Sequence, residues 1–106
     1  MKAILIDSQQ RSVESVDVFS KEDLAQLVGY DTLISDQIGT GGERLFFDEE
    51  CFIRGASGRF QLDTLAPVAG RAVITGSVGA GDVCSDVSST PEDIRQRVTW
   101  IEVNAP

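Results

Sequence analysis

Apolar residues fall in short runs along this chain, divided by polar or glycine-rich breaks, and each run carries the period of one element. Lys2 to Asp7 is a compact apolar run that predicts a strand, with Ala3 to Ile6 unbroken. Val13 to Phe19 predicts a second strand, with Val16 and Val18 on one face and Asp17 on the other, after a polar turn at Ser8 to Ser12. The pattern then becomes helical. Ser20 is a candidate N-cap, Asp23 follows three residues later as in a capping box, and Glu22 suits the positive end of the helix dipole. Leu24, Leu27 and Val28 mark one buried face, and Gly29 is placed to end the helix in the left-handed conformation, leaving about two turns.

Thr32 to Ile38 and Arg44 to Asp48 predict two more strands joined by the loop Gly39, Thr40, Gly41 and Gly42. Asp48, Glu49 and Glu50 form an acidic turn, and Cys51, Phe52 and Ile53 read as a short return strand. After a break at Gly55 to Gly58, Phe60 and Leu62 share a face in a brief extended piece. The stretch Gly70 to Val87 organises the rest: Ala72, Val73 and Ile74, fenced by Gly70 and Gly76, predict a central strand. Gly76, Gly79 and Gly81 then loosen a turn, and Val83, Cys84 and Val87 carry the chain back as a hairpin.

Toward the end, Thr90 as N-cap, Pro91 at the first helical position, and Glu92 and Asp93 in the first turn start a helix. Ile94, Val98 and Ile101 continue at helical spacing, with Arg95 and Arg97 toward the negative end. The order of elements predicts one α+β domain over residues 1–106. Its sheet is largely antiparallel or mixed, with five to seven short strands, and two helices, one short and one near the C-terminus, cover one side.

Composition narrows the partners. Seventeen acidic against nine basic residues give a net charge of −8, which argues against direct nucleic-acid binding because phosphate contacts need a concentrated cationic surface. The acids are interleaved with apolar positions, as a solubilising surface would be, though a basic protein partner or mimicry of nucleic acid would use the same charge. No apolar run approaches the length of a signal peptide or a membrane span, so a cytoplasmic protein is expected. There is no histidine, and the two cysteines, Cys51 and Cys84, lack metal-site spacing and read as buried reduced thiols.

Candidate chemistry is sparse. The glycine run offers Gly76, Ser77, Gly79, Gly81 and Asp82 as a ligand-binding loop, since closely spaced glycines let backbone amides approach an anion. Its order is GxxGxG, unlike a dinucleotide or Walker loop, and a plain turn fits as well. The acids Asp48, Glu49 and Glu50, with Asp82 and Asp86, match no calcium loop and read as solvated turns, so no metal and no cofactor is expected. Without a histidine base or a recognisable carboxylate pair no catalytic residue is assigned, and the chain leans away from an enzyme. Phe46 and Phe47 are adjacent on one strand, so period two sends them to opposite faces. Either the sheet is covered on both sides, or Phe46, Phe47, Asp48, Glu49 and Glu50 form a protein-interaction patch, including a homodimer contact.

The opening MKAILID, the LVG that ends the first helix, RLFFDEE, PVAGRAVITG, the later Gly-Asp pair and TPEDIRQRV together resemble the domain-of-unknown-function family 3846 across almost the whole chain. That resemblance implies an accessory protein of phages, plasmids or other bacterial mobile elements, and assigns no site residues. The expected function is non-enzymatic binding of a host or mobile-element protein. The alternative is binding or sequestering a small, nucleotide-type ligand, and an enzyme of unknown chemistry ranks third.

Overall fold

A computed structural model describes residues 1–39, 42–54, 58–76 and 86–102. Among them the chain forms eight strands and two helices: β1 (Lys2–Asp7), β2 (Ser12–Asp17), α1 (Lys21–Val28), β3 (Leu33–Ile38), β4 (Glu43–Asp48), β5 (Gly58–Leu62), β6 (Val68–Ala69), β7 (Arg71–Thr75), α2 (Pro91–Arg97) and β8 (Val98–Glu102). The fold is α+β, and it has two antiparallel sheets where one was expected. Five strands run in the order β2-β1-β7-β4-β3, and three in the order β6-β5-β8. β7 is central, as its apolar sequence predicts, pairing with β1 through Ile4↔Ile74 and with β4 through Leu45↔Ile74.

Both faces of the larger sheet are covered at its central strands β1, β7 and β4, which explains their nearly continuous apolar runs. On one face Ile4, Ile6, Val13, Leu45, Phe47 and Ile74 pack against Phe60, Leu62 and Val68 of the smaller sheet and Ile94 of α2. On the other, Ala3, Val18 and Val73, with Leu5 and Phe46 partly buried, pack under Leu24 and Val28 of α1. Burying such an aliphatic side chain contributes roughly 1.5–3 kcal/mol relative to leaving it in water. The two helices therefore lie on opposite faces of the sheet, not on one side.

α1 starts where its caps place it: Ser20 Oγ accepts the Asp23 N–H, and the Asp23 carboxylate reaches back to accept the Phe19 N–H at 2.8 Å. Gly29 ends the helix at φ +99°, with its N–H donating to the Ala25 carbonyl. α2 has a full capping box between Thr90 and Asp93, but it is shorter than its spacing implied. Val98 is already extended, and Val98 to Ile101 belong to β8, paired with β5. The run Val98, Thr99, Trp100 and Ile101 is rich in β-branched and aromatic residues, and its edge-on contact between Trp100 and Phe60, at 6.4 Å between ring centres, outweighs the coincidental helical spacing.

Two further expectations change. Cys51–Ile53 is a 3₁₀ turn and not a return strand, with the Cys51 thiol buried and accepting the Ala69 N–H while Phe52 and Ile53 are exposed. The proposed hairpin after β7 has no edge to pair with, because β1 and β4 occupy both sides of β7. The part of that return segment at Val83 and Cys84 lies outside the described residues, and Val87 donates its N–H to the Lys2 carbonyl of β1.

Candidate functional site

Asp48 ends β4 on the face that carries α1, directly across the ladder from Leu33. Its residue is only 2% exposed, so its charge must be satisfied from within. Thr32 donates its hydroxyl to Oδ1, the Glu50 N–H donates to the same oxygen at 3.1 Å, and Arg54 Nε donates to Oδ2 at 3.0 Å. Burial pushes the Asp48 carboxyl up, but the hydrogen bonds from Thr32, Arg54 and Glu50 and the Arg54 charge outweigh it, and the group ends below its ordinary 3.8. Its hydrogen bond to the Asp48 carboxylate raises the Arg54 guanidinium above its ordinary value.

Arg54 is thereby fixed in place. Its Nη2 donates to Thr32 Oγ1 at 3.2 Å and lies 3.3 Å from Glu50 Oε2, and its guanidinium carbon stands 4.2 Å from the centre of the Tyr30 ring. The 3₁₀ turn sets this geometry, because it brings residue 54 back over residue 48 within six positions. Two cavities meet here. A wide open groove of about 1120 Å³ runs between α1 and the β3-β4 ladder, over Leu24, Ala25, Leu33 and Phe46, and ends at Tyr30 and Arg54. A smaller pocket of about 170 Å³ lies past those two residues, walled by Gln9, Asp48, Cys51, Gly70 and Arg71.

The floor beyond the pocket is a close backbone crossing. Ser8 donates both its N–H and its hydroxyl to the Gly70 carbonyl, at 3.1 and 2.6 Å, and Gly70 donates to the Gly58 carbonyl at 3.1 Å. A Cβ on Gly58 would stand 2.4 Å from the Ser8 carbonyl oxygen, so a glycine is required where the two sheets touch.

The residues singled out from the sequence are only partly within the described residues. Of the glycine loop, Gly76 is buried at the end of β7, and Ser77, Gly79, Gly81 and Asp82 lie outside the described residues. The base of that loop is held by β1, whose Lys2 N–H donates to Asp86 Oδ1 at 2.8 Å. The aromatic and acidic stretch divides between interior and surface: Phe47 lies in the core between the sheets, Phe46 is half-buried under α1 and lines the groove, Asp48 is buried, and Glu49 and Glu50 are exposed. Covering on both faces is thus the answer to the paired phenylalanines. Among the described residues no three acidic or thiol side chains gather as metal ligands. Tyr30, Thr32, Arg54 and Arg71 were not singled out as a site by sequence, and the one local sign was Glu50 and Arg54 at i,i+4 spacing.

Comparison with known proteins adds no relative: no family model, no curated protein and no solved structure matches the chain. Among the described residues no helix is long and apolar enough to cross a membrane.

Proposed function

We propose that this chain is a non-enzymatic binding protein that holds one protein partner in the groove between α1 and the β3-β4 ladder. The observation that carries the reading is the construction of that groove. Its floor is apolar, through Leu24, Leu33 and Phe46, and at one end Arg54 is locked by Asp48 and stacked on the half-exposed Tyr30. An aromatic and an arginine already held in their bound positions lose little conformational freedom on association, which is how interface anchors gain affinity. The lining carries Glu22 and Asp31 as well as Lys21 and Arg54, and Glu50 stands beside Arg54. With a net charge of −8 on the whole chain, the complementary partner is a protein with a basic face.

The resemblance to domain-of-unknown-function family 3846 supplies the context of this proposal: a host or element protein met inside a bacterial cell, with this chain encoded by a phage, plasmid or other mobile element. A photo-crosslinking amino acid at Gln26, in the groove, tests it against the same probe at Glu14, exposed on β2. The expected result is one discrete protein adduct from position 26 in bacterial cells and none from position 14. The same adducts from both positions, or none from position 26, would refute the groove as the contact surface.

A further inference from the structure

We propose that the small pocket between Arg54 and Arg71 is an oxyanion site, taking a carboxylate or phosphate group on the guanidinium of Arg71. The inference goes beyond the groove reading and stands or falls independently of it.

Arg71 opens β7 on the α1 face of the sheet, where its strand partner is Asp7. Extending the β4-β7 register from Phe46↔Val73 by two residues brings Arg71 level with Asp48. Neither acid is paired with it. Asp7 Oδ1 turns back to accept the N–H groups of Gln9 and Gln10, at 3.0 and 3.2 Å, and Asp48 is committed to Thr32, Glu50 and Arg54. Among the described residues Arg71 has no hydrogen-bond acceptor, no salt-bridge partner and no aromatic ring beneath it. The other arginines whose bonds are described are used: Arg44 on Ser35, Arg54 on Asp48, Arg95 on the Val13 carbonyl and Arg97 on Asp63.

The Arg71 side chain nonetheless lies at a defined place. Its Nη2 lies 2.9 Å from where a Cβ on Gly29 would stand, so the guanidinium lies across the glycine that ends α1. That helix has no basic residue in its last turn, and its negative end attracts the guanidinium while leaving the donors unspent. Arg71 therefore faces the pocket with its fork free. Arg54 and Tyr30 wall the same space, and Gly70 on its wall is hydrogen-bonded to Ser8 and Gly58. At about 170 Å³ the pocket has room for one carboxylate or phosphate group. The planar fork suits either oxyanion by paired donation. Such a group could belong to a free metabolite or to the end of a ligand lying in the groove, since Tyr30 and Arg54 line both spaces.

The test is an NMR titration of the whole chain with sodium phosphate and, separately, sodium acetate, each at ionic strength held constant with sodium chloride. The expected result is saturable movement of the Gly70 and Arg71 amides and the Arg71 Nε–H signal with at least one of the two anions. Binding should weaken tenfold or more in Arg71→Gln and only partly in Arg71→Lys, which keeps the charge and loses the fork. Arg71 is exposed, so the folded spectrum is expected to survive both changes, and the lysine variant keeps the comparison available if the glutamine variant does not fold. Phosphate alone saturating points to a phosphate ligand, and acetate alone to a carboxylate. Linear, unsaturated shifts with both anions, or shifts unchanged in Arg71→Gln, would overturn the proposal.

Discussion

The Asp48 carboxylate does two things at once: it closes the end of β4 and it holds Arg54 against Tyr30. A lone buried acid would be costly, and this one is stable because three donors meet it. Its folded value is lowered, so the sign of its contribution is fixed. The stabilisation is complete above the ordinary value of 3.8 and is lost as the pH falls through the lowered folded value. Asp48→Asn should therefore lower the melting temperature by several degrees at neutral pH. The gap to wild type should be widest above the ordinary value of 3.8 and should narrow as the pH falls through the lowered folded value. Thermal unfolding followed by circular dichroism across that range checks this, and a gap independent of pH would contradict it. None of this network was legible from the sequence as a network. Asp48 looked like one of three solvated turn acids, because a linear pattern does not tell which acid of an acidic turn faces inward.

At the scale of elements, the residues that start helices were readable and those that end them were less so. Ser20, Asp23 and Gly29 bound α1 as their chemistry requires, and Thr90 with Pro91 starts α2. Caps are local, so the sequence carries them in full. The exit from α2 is not local: Val98, Thr99 and Trp100 leave the helix because β5 offers them a partner strand, and no spacing rule contains that partner. The turn at Cys51–Ile53 was misread for a related reason, since a short apolar triplet fits a strand or a 3₁₀ turn equally. The Thr90 side chain accepts the Asp93 N–H in a reciprocal box. Thr90→Ala should cost about 1 kcal/mol of stability in urea unfolding. Because α2 leads directly into β8, the same change should reduce the amide-exchange protection of β8, and an unchanged β8 would mean the two elements are secured separately.

For the molecule as a whole, the α+β class and the central place of β7 followed from composition and pattern, while the division into two sheets did not. Phe46 and Phe47 show why. Their alternation sends them to opposite faces but leaves open whether both are covered; α1 covers one face and the smaller sheet the other, and only the tertiary structure supplies these covers. The same arrangement creates the groove, because α1 leaves the β3-β4 side of its face open along its length, from Lys21 to Tyr30. A blocking substitution there should abolish partner binding without disturbing the fold. Ala25→Arg serves, since both residues are good helix formers and the arginine would project into the groove. The most direct test is native mass spectrometry of the chain purified gently from bacterial cells, run in parallel on wild type and Ala25→Arg. The groove account predicts a wild-type complex with one protein of defined mass, and a bare chain for the folded variant. A wild-type chain that carries no protein partner, or a complex that survives Ala25→Arg, would contradict it.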